Sequence, residues 1–376
     1  MSPVPMDDTS STVSPRAVDP THVEHRGRRL VSFGGCDYLR LSWHPSVRQA
    51  ARDAIDRWGL DAAASRTTTG DLALYRELEK SLARFFRAEA ALLTPSGYLA
   101  PIVATQAMAG RFSHALLDDG SHGCLHDAAG MLGCPVVRFR RDDPEALAAA
   151  AHGCGAGAKL LVLAHGLSPL DGSVRPLDRY LAAVPSDAWM LVDDAHGAGV
   201  LGPKGRGAVE SLGLDRSRVV LTVTLSKAFG CHGGAVLGPR WLRASAFATS
   251  RAFGGGTPLP PPMAAAALEA VRVMQDSGPA RARLAANAAR VREVLAGPDA
   301  DPVLRPGPMF CVAPATPAGL SRLRRGLLAA GIFPPLIRYR NGPAAHFFRF
   351  AVSSAHGGEP IGRLRDVLAR FLTTER

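Results

Sequence analysis

The sequence predicts an α/β protein with a mostly parallel central sheet and a smaller C-terminal α+β domain. Short apolar runs alternate with helix-like segments from about residue 46 to residue 227, a pattern typical of a parallel sheet. Apolar residues make up 47% of the chain and charged residues 20%, as in ordinary globular proteins. The chain has 376 residues, more than one typical domain. Beyond residue 277, long arginine-bearing helical segments replace the alternation.

The first elements are predicted from polarity and apolar spacing. Residues 1–30 are polar and rich in Pro, Ser and Thr, so we expect a flexible N-terminal arm there. Residues 31–277 are expected to form an N-terminal segment and the large domain. Apolar residues recur at helical spacing in SVRQAARDAIDRW (46–58) and YRELEKSLARFF (75–86), which predicts two helices ahead of the first strand.

Six apolar runs predict the buried strands of the sheet. They are AALLTPSG (90–97), HALLDDG (114–120), PVVRFR (135–140), KLLVLAHG (159–166), WMLVDDAHG (189–197) and VVLTVTLSK (219–227). The run TPLPPP (257–262) would end any preceding element. The Ala-rich run 263–276 after it predicts another helix, and residues 278–376 are assigned to the small domain.

The charge distribution argues against nucleic-acid binding. The net charge is +11, and residues 281–376 alone hold 15 arginines against six acidic residues, a net of +9. These arginines are spread along helical segments, and no aromatic platform for bases accompanies them. The charge is that of a solvated face, or of a surface that attracts anionic substrates such as CoA phosphates or an acidic carrier protein.

The cellular compartment is predicted from what the sequence lacks. No run approaches 18 consecutive apolar residues, so no membrane span is expected. The first 20 residues lack the apolar core of a secretory signal. The six cysteines form no CxxC pair and no regular spacing, as is typical of reduced thiols. We therefore expect a cytoplasmic protein without a metal site.

Chemically capable side chains stand at the predicted strand ends, where open α/β sheets bind ligands. They are Ser96, Asp119, His122, His165, Asp193, His196, Thr224 and Lys227. Lys227 is one of only four lysines and follows a buried strand beside glycines and hydroxyl groups. Partial desolvation there would lower its pKa and give a nucleophilic amine. A solvated lysine at a turn is the alternative.

Asp193 and His196 stand three residues apart where the run 189–197 ends. A carboxylate in a crevice can pair with a protonated ring nitrogen, and pyridoxal 5'-phosphate (PLP) chemistry requires such a partner for its pyridine nitrogen. The alternative is an aspartate that caps a turn beside a core histidine. Lys227, 34 residues further on at the next strand end, favours the PLP interpretation.

Several motifs resemble those of the α-oxoamine synthases, PLP enzymes with the aspartate-aminotransferase-like fold (fold type I). The resemblance runs from about residue 31 to residue 372. TLSKAFGCHGG (224–234) resembles the family's lysine signature, and DDAHGAGVLGPKGRG (193–207) resembles its Asp/His segment. Its N-terminal, phosphate-turn and C-terminal arginine motifs are matched by CDYLRLSWHP (36–45), PSGYLA (95–100) and FRFAVSSAH (348–356).

The resemblance implies how a cofactor ring would be held. Lys227 would join PLP as an imine and later move the Cα proton. Asp193 would pair with the pyridine nitrogen, and His196 would lie near the phenolic oxygen. His122 would stack on the ring.

The resemblance also implies contacts to the phosphate and the substrate. The phosphate would contact the backbone of Gly97 and Tyr98 and the Thr224 hydroxyl. Thr257 would reach the phosphate of the neighbouring subunit, which implies a homodimer with shared sites. Arg349 would bind the amino-acid carboxylate as a two-pronged donor.

Four residues depart from the family pattern. Cys36 replaces an asparagine, which removes an amide near the substrate carboxylate, and His165 replaces a glutamate. Pro169 replaces a serine, which removes one cofactor-directed hydroxyl, and Tyr75 stands where a histidine is common. Because the cofactor and lysine positions are kept, this pattern favours a working PLP enzyme with an unusual substrate.

The activity implied is a decarboxylative condensation of a small amino acid with an acyl thioester, giving an α-aminoketone. The acyl donor would be an acyl-CoA or an acyl-carrier protein. A PLP-dependent aminotransferase or carbon–carbon lyase of the same fold is the alternative. A third possibility is a non-catalytic basic binding protein that retains the fold.

Overall fold

The computed structural model describes residues 14–296, 305–338 and 342–375. Its strands are β1 (Arg16–Ala17), β2 (His22–His25), β3 (Arg28–Ser32), β4 (Ala90–Thr94), β5 (His114–Asp118), β6 (Val136–Phe139), β7 (Leu160–His165), β8 (Trp189–Asp193), β9 (Val219–Thr224), β10 (Gly234–Gly238), β11 (Met309–Val312), β12 (Ile332–Phe333), β13 (Leu336–Ile337) and β14 (Phe347–Ala351).

The α-helices surround these strands, and two short 3-10 helices lie at Leu41–Trp43 and Gly130–Leu132. The α-helices are α1 (Pro45–Trp58), α2 (Ala73–Phe86), α3 (Leu99–Met108), α4 (Gly123–Ala129), α5 (Pro144–Gly153), α6 (Leu177–Ala182), α7 (Ala208–Ser211), α8 (Arg240–Thr249), α9 (Arg251–Gly254), α10 (Pro261–Gln275), α11 (Gly278–Ala296), α12 (Pro317–Ala329) and α13 (Gly358–Glu375). None of the described helices is long and apolar enough to cross a membrane.

The central sheet has seven strands in the order β4-β10-β9-β8-β7-β5-β6. All six predicted strands are in it, which confirms the predicted sheet. β10 was not predicted, because its glycine-rich sequence is typical of a turn. It runs antiparallel to β9 and β4, while the other neighbouring pairs are parallel. The carboxyl ends of the six predicted strands therefore meet at one edge.

Helices cover both faces of this sheet, so its central strands are buried throughout. Every residue of β7 and β9 is buried, which explains their continuous apolar sequences. On one face α10 packs against α1 and α2, and on the other α3 packs against α4 and α8. The two faces form two hydrophobic cores.

The predicted helices form close to their expected bounds. The helices expected over 46–58 and 75–86 are α1 and α2. The helix expected over 263–276 is α10, which begins at Pro261, inside the Pro-rich run. Proline is favoured in a first helical turn because its missing N–H would have no partner there.

The small domain has the predicted α+β character. Its helices α11, α12 and α13 accompany an antiparallel sheet in the order β11-β14-β13.

The N-terminal segment differs from the flexible arm predicted over residues 1–30. Residues 16–30 are largely in β1, β2 and β3, which form a four-stranded sheet with β12. β3 pairs in parallel with β12, and Leu30 and Val31 are buried. The prediction of an arm is therefore wrong for this part of the chain, because strand pairing with a segment about 300 residues away is not visible in local composition. Residues 1–13 lie outside the described residues.

Candidate active site

A cavity of about 240 Å³ lies at the carboxyl edge of the central sheet. It occupies the position where open α/β sheets bind ligands. The predicted site residues that line it are Gly97, Tyr98, His122, His165, Asp193, His196, Thr224 and Lys227. The fold therefore brings residues from five strand ends of the sheet into one site.

Lys227 has its amine inside this cavity, linked to two other side chains. Its Nζ lies 2.8 Å from Nε2 of His196, and Nδ1 of His196 lies 2.7 Å from the Tyr38 hydroxyl. Burial lowers the pKa of Lys227, and burial with the nearby Lys227 charge lowers the pKa of His196 well below its ordinary value. A neutral His196 can accept from Lys227 at Nε2 and donate to Tyr38 from Nδ1. The other lysines, Lys80, Lys159 and Lys204, are solvent-exposed.

Asp193 is a buried carboxylate with two neutral hydrogen-bond donors. Its Oδ2 accepts from the Cys124 thiol at 3.3 Å, and its Oδ1 accepts from the Thr222 hydroxyl at 3.2 Å. The residue is 6% exposed and burial raises its pKa. Within the described residues no cationic group forms an ion pair with it at contact distance. A buried carboxylate is stable when a positive partner or strong donor reaches it, so Asp193 is suited to a cationic ring nitrogen.

His122 lies at the start of α4, and its position is set by helix capping. Its Nδ1 accepts from the backbone N–H of Cys124 at 3.3 Å. The ring packs edge-on against Tyr98, with centroids 5.9 Å apart, and burial lowers the pKa of His122. An uncharged imidazole on the cavity wall can stack on an aromatic ligand.

The turn before α3 comes very close to β9. A Cβ atom built on Gly97 would lie 2.5 Å from Cβ of Thr224, so only glycine fits. The Thr224 and Ser226 hydroxyls lie 3.0 Å apart beside this turn. The first N–H groups of a helix have no intrahelical partners and favour anions. The turn and the two hydroxyls therefore form a cradle for a phosphate group.

Arg349 lies on β14 of the small domain and lines a separate cavity of about 350 Å³, while its contact Pro169 lines the cavity that holds Lys227. Its Nε donates to the Pro169 carbonyl at 2.9 Å, and its Nη2 lies 3.4 Å from the Cys36 thiol. Arg349 forms no ion pair with an acidic side chain of the described residues. An arginine paired to a nearby acid, the structural alternative for this residue, is thus not seen. Its guanidinium keeps donors for an external carboxylate.

His165 is the last residue of β7 and is 4% exposed. Neither ring nitrogen has a hydrogen-bond partner among the described residues. Thr257, in contrast, is solvent-exposed and lines a different small cavity with Arg66 and Phe253. The chain therefore does not bring Thr257 into its own Lys227 cavity.

Sequence reasoning missed three residues of the site. Tyr38 contacts His196, and Cys124 and Thr222 contact Asp193. Tyr38 lies inside the CDYLRL segment and Cys124 follows His122 by two residues, so their positions in those motifs were the available signal. Thr222 alternates with Thr224 along β9, and this gave no separate signal.

The sequence of this chain is similar to those of known proteins over most of its length. A family model described as "Aminotransferase class I and II" matches residues 28–356. The 8-amino-7-oxononanoate synthase of Methylococcus capsulatus is 36% identical over 363 residues, covering 94% of this chain and 92% of its own. The synthase of the same name from Methylobacterium radiotolerans is 39% identical over 348 residues, covering 92% and 88%.

Solved structures show the same fold. The serine palmitoyltransferase of Sphingomonas wittichii matches with a TM-score of 0.87 and 26% identity, covering 96% of this chain and 91% of that one. A serine palmitoyltransferase variant solved with PLP matches with a TM-score of 0.88 and 25% identity, covering 96% and 92%.

The fold and the comparisons show that the protein is a transferase with the PLP-dependent fold. The chain belongs to the class I and II aminotransferase family and, within it, to the α-oxoamine synthases. The family, the fold class and the acyltransferase class predicted from the motifs are thereby confirmed.

Proposed function

We propose that this protein binds PLP through Lys227 and condenses a small amino acid with an acyl thioester, releasing CO₂ and the thiol and forming an α-aminoketone. The observation that carries the proposal is the pairing, in one cavity, of a half-buried lysine amine with a buried carboxylate that lacks a cationic partner among the described residues. The 8-amino-7-oxononanoate synthases at 36–39% identity support the acyl-transfer class.

The residues present fit the cofactor. Because Gly97 has no Cβ, the turn before α3 packs directly against Thr224, which brings the first N–H groups of α3 and the Thr224 hydroxyl together as donors to a phosphate. Asp193 offers a buried carboxylate to a protonated pyridine nitrogen, and His122 offers a ring face. When bound, PLP supplies an electron sink for the pair left when the Cα–H bond breaks.

Side chains of the protein bind the substrate and move its Cα proton. Arg349 binds the amino-acid carboxylate and orients the substrate. The Lys227 amine, with its pKa lowered by burial, takes the proton from the substrate Cα as a general base. Asp193 keeps the ring nitrogen protonated, and His196 holds Nζ of Lys227 in place through its 2.8 Å contact. His165 and Pro169 line the same cavity beside these groups.

The first test is chemical labelling of the lysine. Borohydride reduction of the PLP-loaded protein, followed by peptide mapping, should place the pyridoxyl group on Lys227. Lys204→Ala should label as the wild type does, while Lys227→Ala should not label. A label on Lys159 or Lys204 would contradict the assignment.

The second test is a substrate screen. Amino acids that change the holoenzyme spectrum are combined with acyl-CoA thioesters and with acyl-carrier proteins, and release of free thiol is followed. Release that depends on both substrates is expected. Formation of pyridoxamine phosphate with a keto acid, without thiol release, would instead show an aminotransferase.

A further inference from the structure

His165 is a buried polar side chain without a hydrogen-bond partner among the described residues. It ends β7, directly beside Asp193 of β8 in the parallel register. It lines the cavity that holds Lys227, and neither ring nitrogen has a partner there. A buried polar group that lacks a partner destabilises the fold, and nearly all such groups in proteins are hydrogen-bonded. A ligand in the cavity is therefore expected to complete the bond.

The protonation state of His165 decides which ligand group it can bind. Burial, with the nearby charge of Arg175, lowers the pKa of His165 well below its ordinary value. The imidazole is therefore neutral near pH 7 and carries one N–H donor. An ionised glutamate, the residue that the family motif has at this position, can only accept. The substitution thus replaces a negatively charged acceptor by an uncharged side chain that can donate one hydrogen bond.

His165 and Pro169 line the Lys227 cavity together. From His165 the chain continues to Pro169, whose carbonyl accepts from Nε of Arg349 at 2.9 Å. Pro169 therefore links the cavity that holds Lys227 to Arg349, the proposed ligand of the substrate carboxylate. A substrate held at Arg349 and deprotonated by Lys227 would pass along the side of the cavity that His165 and Pro169 line.

We propose that His165 donates a hydrogen bond to the carbonyl oxygen of the acyl thioester and stabilises the oxyanion that forms during acyl transfer. The inference rests on the proposed function. The substrate Cα forms a bond to the carbonyl carbon, and the C=O electron pair moves to the oxygen that faces His165. When the C=O bond re-forms, the C–S bond breaks, and the thiolate leaves with its electron pair and takes a proton from solvent. His165 keeps its proton throughout.

This role separates two measurable half-reactions. Exchange of the amino-acid Cα proton with D₂O, followed by NMR, needs Lys227 and no thioester. Release of thiol needs both Lys227 and a thioester, and it is measured with acyl-CoA thioesters of two to sixteen carbons. His165→Leu should keep Cα exchange within about threefold of the wild type. The same variant should lose about 100-fold or more in thiol release, the usual effect of removing one oxyanion donor.

Two further variants test whether the effect comes from the N–H donor at position 165. His165→Gln restores an N–H donor and should recover thiol release to within about tenfold of the wild type. His152→Leu removes an exposed histidine of α5 and should match the wild type in both assays. Melting temperatures of the PLP-loaded variants show whether His165→Leu is folded. If it is not, the two assays are compared between His165→Gln and His165→Asn instead.

The contrary outcomes are distinct. Wild-type thiol release by His165→Leu, or equal losses in exchange and release, would overturn the role of His165 and leave the proposed function intact. Failure of the wild type to release thiol from any acyl-CoA or acyl-carrier protein would overturn the proposed function, and the role of His165 with it.

Discussion

Asp193 supplies the negative charge of the cavity that would pair with a protonated ring nitrogen. Its carboxylate is buried, and its two hydrogen bonds come from the neutral Cys124 thiol and Thr222 hydroxyl. The charge of the ring nitrogen in the proposed holoenzyme therefore depends on this side chain. Neutral donors alone do not balance a buried negative charge.

Replacement of that charge tests its role. We expect Asp193→Asn to bind PLP but to lose at least about 100-fold in Cα proton exchange, the cost of one strong preorganised electrostatic contact. Deuterium exchange of the substrate amino acid measures this step. The control Asp119→Asn changes an exposed carboxylate at the end of β5 and should leave exchange unchanged. Near-normal exchange in Asp193→Asn would contradict the assignment.

Arg349 is the residue that should select amino acids over simple amines. Its contacts within the chain are to the Pro169 carbonyl and the Cys36 thiol, neither of which neutralises it in the way a carboxylate would. Because a thiol replaces the amide expected at Cys36, Arg349 should carry more of the carboxylate binding.

The expected result is a selective loss. Arg349→Ala should weaken the spectral response of the holoenzyme to amino acids about 100-fold, since charge-assisted hydrogen bonds contribute about 1.5–3 kcal/mol each. Titration with the corresponding decarboxylated amines should change little. Arg370→Ala, an exposed arginine of α13, is the control. Equal weakening for amino acids and amines would make Arg349 a structural residue.

At the scale of elements, the start of α3 and the end of β9 form the phosphate cradle together. Gly97 precedes α3 and faces Thr224, the last residue of β9. β10 then runs back between β9 and β4, and a Cβ on its first residue, Gly234, would lie 2.7 Å from Cα of Gly97. Three elements thus meet with no space for side chains other than that of Thr224.

A single methyl group should therefore disturb this cradle. Gly97→Ala should weaken PLP binding about tenfold or more, because the new Cβ collides with Thr224 and shifts the N–H donors. Binding of pyridoxal, which lacks the phosphate, should weaken much less. Gly130→Ala, at a site where a Cβ meets nothing within 4 Å, is the matched control. Absorbance titrations with PLP and with pyridoxal measure the two affinities. Equal weakening of PLP and pyridoxal binding would contradict the assignment of this turn to the phosphate.

At the scale of the whole molecule, the prediction of a homodimer with shared sites rests on Thr257. It is exposed and separate from the cavity that holds Lys227 of its own chain. The sequence resemblance implies that this threonine completes the phosphate site of a neighbour. The active site would then need two copies of the chain.

Mixed dimers test the shared site. We expect Thr257→Ala to weaken PLP binding about tenfold, for the loss of one hydrogen bond to a charged group. A dimer of one Thr257→Ala chain and one Lys227→Ala chain should regain a single site of wild-type affinity, because both intact residues meet in that site. Affinity titration of tagged, purified heterodimers checks this. If all sites of the mixed dimer stay weak, Thr257 acts within its own chain.

Local sequence pattern was enough to predict the central sheet and its ligand-binding edge. Apolar runs predicted six of its strands, and the runs are most continuous in β7 and β9, because strands buried on both faces need no alternation. Their polar last residues predicted the cavity, because carboxyl ends of parallel strands share one edge. The lysine was singled out by its scarcity and its neighbours.

Contacts between residues far apart in the chain became visible only in the folded structure. Tyr38 reaches His196 across 158 residues, and Arg349 reaches Cys36 across 313. β3 joins β12 where local composition predicted a flexible arm, and the glycine-rich β10 becomes a strand because β9 and β4 pair with it on both sides. Hydrogen bonds between segments far apart in the chain depend on how the layers pack, and local composition carries no signal of that packing.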